Sequence, residues 1–229
     1  MPPRPVRDRG DRVAIVGDDF AGAALGAQWT DEDPVGDCTT TVSGGLLSIA
    51  VPSGVSHDVW SDGINGARVT QPVANTDMEI SVKLNATVDT AYQLHGLLFF
   101  ADADDLIRFD TYYNGTTQRI FAATFVAGSP TVRVDTSISS TAPIYLRVNR
   151  TGNTWTYWYS SDGAAWTQAV QFSHTLTLAK VGVFGGNASG ASSPAFTMTC
   201  DWVSGVLPPR RRGGPRQARH GVGRASFAR

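Results

Sequence analysis

Ten short runs rich in β-branched and aromatic residues follow one another along the chain, and turn signals stand between them. The runs are 45–51, 78–84, 94–101, 106–113, 118–126, 131–138, 144–150, 154–160, 180–186 and 195–203. SGG, YNGT, AGSP, RTGN and SDGA punctuate them, and Gly, Asn and Asp tolerate the positive φ that tight hairpins require. In 78–84, Met78, Ile80, Val82 and Leu84 alternate with Glu79, Ser81 and Lys83, the period of a half-buried strand. No stretch carries a helical period. Strands recurring at intervals of about 8–12 residues predict an all-β, two-sheet antiparallel sandwich of the jelly-roll kind. Up-and-down barrels are the other closed solution.

Charge divides the 229 residues into three parts. Residues 1–16 form an Arg/Pro-rich N-terminal arm, 17–206 the sandwich, and 207–229 an Arg/Gly/Pro-rich tail. Between residues 13 and 207 there are 8 Lys+Arg against 18 Asp+Glu, whereas 208–229 holds seven Arg and no acid. An acidic body argues against a nucleic-acid-binding face. Basic extensions of this kind bind an acidic partner or lie disordered; in the first case Arg210, Arg211, Arg212, Arg216, Arg219 and Arg224 are the candidate docking residues. No apolar run reaches the roughly 20 residues of a membrane span, and MPPRPVRDRGDRVAIVGDDF has no apolar stretch of signal-peptide length. The expectation is a chain that neither inserts in a membrane nor carries a secretory leader. Cys38 and Cys200 lack a neighbouring Cys or His at metal-ligand spacing, so zinc is not expected. They stand near the two ends of the body, where a disulfide and a pair of unlinked core thiols are both open.

The series DDFAGAALGAQW (18–29), VSGGLLSIAVP, SHDVW…ARVTQPV, DMEISVKL, YQLHGLLFFADADDLIRFDTYYNG, PIYLRVNRTGNTWTYWYSSDGAAWT and VGVFGGNA resembles bacterial concanavalin A-like lectin/glucanase domains. It is similar to the sandwich appended to bacterial xylosidases and to a related enolase-regulation-like group. The resemblance covers roughly residues 18–203. It implies the concanavalin A-like sandwich with the two arms outside it. It leaves function open, because this fold hosts lectins, glycosidases and structural modules.

Catalysis finds little support in the residues. Glycoside hydrolysis needs two carboxylates flanking one bond, and the glucanases of this fold place three acids on one strand as Glu-x-Asp-x-Glu. Here Asp77 and Glu79 share a face, but position 81 is Ser, and the pair reads as a solvent-facing strand edge. Asp58 and Asp110 are the remaining acidic candidates. No G-x-S-x-G elbow occurs. Ser160–Trp166, SSDGAAW, resembles a sialidase-type Asp box one residue short, and reads as a hairpin with Trp166 turned inward. The expectation is a protein without enzymatic activity.

Sugar binding has better material. Sugars offer C–H faces to aromatic platforms and hydroxyls to paired polar groups. The stretch SHDVWSDGINGARVTQP supplies His57, Asp58, Trp60 and Arg68. Gln93 and His95 alternate on one strand, and Arg108, Asp110 and Tyr112 on the next. All nine are expected to converge on one polar, concave sheet face, with Trp60 as platform. No cofactor is expected. Structural calcium is the one exception considered, at Asp18, Asp19 and Asp201 or at Asp102, Asp104 and Asp105, although neither place has a D-x-D-x-D-G loop.

The expected setting follows from joining these parts. Seventeen Arg against two Lys, with abundant Ala, Gly, Val and Asp, point to a GC-rich genome. Lectin-like sandwiches occur among minor tail proteins of phages of GC-rich actinobacteria. A virion component needs no secretory leader. The chain is therefore expected to be a tail accessory protein in a multi-subunit assembly, contacting other virion proteins through its arms and cell-surface glycan through its sandwich. A stand-alone or secreted carbohydrate-binding module, intracellular or extracellular, or a purely structural capsid or tail decoration domain, is the alternative.

Overall fold

The computed structural model describes residues 14–139 and 142–206. The candidate docking arginines of the tail lie outside the described residues. The strands are β1 (Thr30–Glu32), β2 (Thr39–Ser43), β3 (Leu46–Val51), β4 (Val59–Trp60), β5 (Gly63–Ile64), β6 (Ala67–Pro72), β7 (Met78–Leu84) and β8 (Gln93–Phe100) in the first half. The second half adds β9 (Leu106–Tyr113), β10 (Gln118–Val126), β11 (Ser129–Ile138), β12 (Ile144–Thr151), β13 (Thr154–Ser160), β14 (Thr167–Ser173), β15 (Lys180–Asn187) and β16 (Phe196–Val206). One sheet runs β1-β6-β15-β8-β9-β10-β11, the other β14-β13-β12-β7-β16-β3-β2, and β4-β5 make a small separate hairpin. Neighbouring strands pair antiparallel throughout. The fold is the expected all-β sandwich. The ten expected runs are all strands, and β1, β2, β4, β5, β6 and β14 come in addition.

The main core lies between the sheets. β7 alternates buried and half-buried residues along its length, so Met78, Ile80, Val82 and Leu84 face inward. Opposite them stand Leu97 and Phe99 of β8 and Ile107 and Phe109 of β9. Trp155 sits edge-on to Phe99 at 5.3 Å, and Tyr157 lies 5.0 Å from Phe109. Such tilted aromatic pairs avoid face-to-face repulsion of the ring quadrupoles. The first and last segments meet through an Asp18–Val203 bridge, and Gln71 clamps Val16 by accepting from its N–H at 2.7 Å and donating to its carbonyl at 3.0 Å.

Two local expectations are corrected. β7 is flanked by β12 and β16 and is no edge strand; Asp77 caps Gly152 N–H at 2.7 Å. Trp166 does not turn into the core but lies half-buried under the Arg147 guanidinium, 3.8 Å from its ring centre. The Asp162 carboxylate accepts from Ala164 and Ala165 N–H at 2.8 Å each, which closes that turn and holds its carboxyl below the usual range. Cys38 and Cys200 are both free thiols.

The first sheet is covered on its outer face as well. Every residue of β8 is buried. Leu94, Leu98 and Phe100 point away from the main core and join Leu106, Phe121, Ala123, Phe125, Phe184 and Val59 in a second apolar cluster. The segment carrying β4 and β5 forms its lid.

Candidate functional site

The site grows from β9. Strand alternation sends Ile107 and Phe109 to the main core and Leu106, Arg108, Asp110 and Tyr112 to the outer face. Asp110 pairs in register with Gly96 of β8. A Cβ on Gly96 would collide with Phe109 O and with Cα and Cβ of Asp110, so the missing side chain is what admits the carboxylate there. Arg108 donates to Asp110, to Val59 O at 2.6 Å and to Asp58 Oδ1 at 3.2 Å. Its guanidinium lies 4.8 Å from the Phe121 ring centre, a cation–π contact strengthened by burial. Burial pushes the Asp110 carboxyl up to about 6 against the opposing pull of Arg108. Its Oδ1 has no partner among the described residues.

Above this floor opens a cleft of about 320 Å³. Its aromatic walls are Trp60, Tyr92, Tyr112 and Phe121, and its polar groups are Asp58, Arg108 and Asp135. Trp60 is braced edge-on by Phe121 and Phe125, both with centroids 5.9 Å away. The Tyr112 hydroxyl donates to both Asp135 oxygens, at 3.2 and 3.3 Å. Burial, then the Asp135 charge, pushes this phenol up to about 12. Arg119 holds Asp135 from the other side at 2.5 Å. At the lip, Tyr92 and Val132 are 44% and 49% exposed, an uncovered apolar edge beside polar groups. Tyr92 has φ +66, a left-handed conformation that non-glycine residues seldom adopt. Two hydrogen bonds fix it: its N–H donates to Tyr113 O, and its carbonyl accepts from Ala188 N–H at 3.0 Å. Backbone strain of this kind is retained where the surroundings over-determine it, often at ligand sites.

Asp58, Trp60, Arg108 and Tyr112 thus line one cleft, with Asp110 directly beneath. Four other expected residues stand elsewhere, and the idea of a single polar face is corrected. Gln93 and His95 have the parity of Leu97 and Phe99 and point to the opposite side of the sheet. Gln93 accepts from Asp89 and Thr90 N–H and donates to Ala195 O, which pins two loops. His95 is fully buried against Phe196, 5.5 Å between ring centres, and burial pulls its imidazole down to about 3. Arg68 is on the outer face, but its fork is occupied by Glu32, Ile64 O and Gly66 O at 2.9–3.1 Å. It lines a separate hollow on the far side of Trp60. His57 is fully buried and ties Asp37 at 2.6 Å to Val55 O and Asn187. The face is also more apolar than expected: the buried Arg108–Asp110 pair is set within the second apolar cluster, and Arg68 and Lys180 lie over its Phe100 ring.

Tyr92, Phe121 and Asp135 were not expected from the sequence. Phe121 and Asp135 pair directly across β10 and β11, so correct strand registers would have brought both beside Tyr112. Five of the six candidate calcium carboxylates, Asp18, Asp19, Asp102, Asp105 and Asp201, accept hydrogen bonds from protein donors. Asp18 accepts from Phe20 N–H, Gln28 and Trp29 at 2.8 Å each, and Asp201 from Lys83 at 2.5 Å. Asp102 accepts from the N–H groups of Asp104 and Asp105.

Comparison with known proteins places this geometry. Residues 17–192 match the family model of the β-xylosidase C-terminal concanavalin A-like domain. No curated protein matches the chain. Among solved structures, the GH43 BlXynB protein from Bacillus licheniformis superposes with a TM-score of 0.67 at 16% identity, over 83% of this chain and 39% of that one. The xylan β-1,4-xylosidase from Bacillus halodurans C-125 gives 0.61 at 16% identity, over 90% and 40%. The chain therefore spans about two fifths of the length of these enzymes. The CBM2 module of the evolved Dit of Lactobacillus casei BL23 phage J-1 gives 0.62 at 5% identity, over 84% and 94%. At these identities the likeness is one of fold.

Proposed function

The chain belongs to the family of β-xylosidase C-terminal concanavalin A-like domains, and from that premise we propose that it is a non-enzymatic, glycan-binding accessory protein of a virion, of the minor-tail type. Its cleft grips host-surface glycan, and its basic arms dock to neighbouring virion subunits. The cleft carries the glycan reading. Four aromatic rings offer faces and edges to sugar C–H groups, while the part-exposed Asp58 and Asp135, with the buried Arg108 behind them, offer charged hydrogen-bond partners in the same cleft. The matched family is the C-terminal concanavalin A-like domain of β-xylosidases. The non-enzymatic reading rests on the cleft, where both lining carboxylates are already engaged, Asp58 by Arg108 and Asp135 by Arg119. The virion setting draws support from the shared fold of the phage J-1 Dit module and from the acidic body between Arg-rich ends.

Binding to isolated host cell walls tests the first half. Tyr92 is exposed and contributes no core packing, so Tyr92→Ala should leave the fold intact and weaken binding at least 10-fold, about 1.4 kcal/mol. Trp60→Ala should weaken it further. Wild-type affinity in both variants contradicts the cleft reading. Deletion of 208–229 tests docking: the truncated protein is expected to be lost from particles, and incorporation at normal stoichiometry contradicts the role of the tail. The GH43 likeness supports a second setting, a carbohydrate-binding module acting outside any virion. In that case the protein binds glycan through the same cleft and does not co-purify with particles.

A further inference from the structure

A second cluster of chemically active side chains lies away from the cleft. The turn between β1 and β2 carries Asp37 and Cys38, and the segment leading into β4 brings His57 against them. One ligand atom from each of the three lies within 4.8 Å of the others. We propose that Asp37, Cys38 and His57 form a binding site for a divalent metal ion of the zinc class.

The donor set is one imidazole nitrogen, one sulfur and one carboxylate oxygen, the combination that borderline-soft Zn²⁺ accepts. Tetrahedral zinc with bonds of about 2.0–2.3 Å sets its ligand atoms roughly 3.3–3.8 Å apart. The present spacing brackets that range, with His57 Nε2 to Asp37 Oδ1 at 2.6 Å and Cys38 Sγ to the same oxygen at 3.8 Å. Asp37 is exposed and can swing outward by the small distance needed. It also leaves an entry path from solvent.

The surroundings of His57 point to a ligand independently of the cluster. Its Nδ1 faces two acceptors, Val55 O at 3.1 Å and Asn187 Oδ1 at 3.0 Å. The amide orientation of Asn187 is fixed, since its Nδ2 donates to Pro52 O and Pro194 O at 2.8 and 2.6 Å. Nδ1 therefore carries the hydrogen, and Nε2 is presented to the carboxylate. A metal-binding histidine is held in this way, with the second ring nitrogen donating to a carbonyl so that tautomer and ring plane are set. On the other side, Asp33 accepts from the N–H groups of Gly36 and Cys38 at 2.9 and 2.7 Å, which sets the turn that displays the thiol. The 2.6 Å contact between Nε2 and Asp37 Oδ1 is that of a hydrogen bond, so a bound ion would take the place of its proton as the exposed carboxylate moves outward. Burial, then the charges of Asp33 and Asp37, pushes the Cys38 thiol up to about 12. The ion would displace the thiol proton, so binding releases protons and weakens as pH falls. Bound metal would clamp the β1–β2 turn to the segment that leads into the β4–β5 lid.

The test is a titration of the full chain with Co²⁺, a spectroscopic stand-in for zinc, followed by competition with Zn²⁺. Expected is one equivalent bound with a thiolate-to-cobalt charge-transfer band, displaced by Zn²⁺. The band should persist in Cys200→Ser and be lost in Cys38→Ser, and the melting temperature should rise with Zn²⁺ only where Cys38 is present. Cys38 is half-buried on a turn, so the serine variant keeps the fold, as its circular dichroism would show. Absence of the band in the wild-type chain, or its survival in Cys38→Ser, overturns the proposal.

Discussion

Arg108 is the residue on which the cleft depends. It is 4% exposed, and its donors reach Asp110, Asp58 and a carbonyl of the lid at once. Arg108→Met keeps the stem volume but leaves the Asp110 charge buried without its partner, which should cost about 3–5 kcal/mol in urea unfolding. His95 sets a pH dependence through burial alone, without a charge partner. Its folded pKa of about 3 lies below the unfolded value near 6.5, so the unfolded chain binds more protons throughout that interval. The stability that neutral His95 allows is complete above pH 6.5 and is lost as pH falls toward 3, by about 4–5 kcal/mol. Asp110, raised to about 6, acts the other way. Its protonated form favours the fold, and that contribution is lost as pH rises through 6. Between pH 4 and 6 the two offset each other. His95→Met should therefore lose less stability than the wild type on acidification from pH 6 to 4, measured by urea midpoints across that range. A variant with the same pH profile as wild type contradicts the assignment. Sequence alternation alone paired Arg108, Asp110 and Tyr112 correctly. It also paired Gln93 with His95 correctly, but alternation within one strand does not say which face meets the core.

At the scale of elements, that missing sign was present in β8. LHGLLFF is a continuous apolar run, and such runs mark strands buried on both faces. Leu94, Leu98 and Phe100 needed a cover of their own, and the β4–β5 lid is that cover. Those two-residue strands were invisible as a pattern because no period can be read in two residues. Arg68, expected in a binding face, instead fastens the lid by its carbonyls at Ile64 and Gly66. Arg68→Met should speed amide exchange at Asn65, whose N–H bonds Asp58 O at 2.8 Å, while amides of β7 keep wild-type protection. Uniform loss across both sheets would contradict a local role. Gly96 is the matching device in the strand below. Gly96→Ala forces a methyl into the β9 backbone and should cost about 1–3 kcal/mol or more, seen as a lower urea midpoint. Cys38 and His57 show the same limit of sequence spacing: 19 positions apart, they share no local motif, and only the fold joins them.

At the scale of the whole molecule, the sandwich was legible because its evidence is periodic and distributed, and turn chemistry, alternation and spacing all agree. The cleft was half legible because it sits where four strands and a lid meet, and Asp135 belongs to it only through register, Tyr92 only through the loop before β8. The central claim is that this cleft binds glycan, and the Trp60 indole reports on it most directly. In a titration of the ¹⁵N-labelled protein with soluble host cell-wall polysaccharide, the Trp60 side-chain N–H resonance and the amides of Tyr92 and Tyr112 should shift in a saturable manner. The indole of Trp155, buried in the main core and bonded to His174 O at 3.0 Å, should stay in place. No shift at Trp60, Tyr92 and Tyr112 at saturating polysaccharide, or saturable shifts confined to another face, would contradict the account.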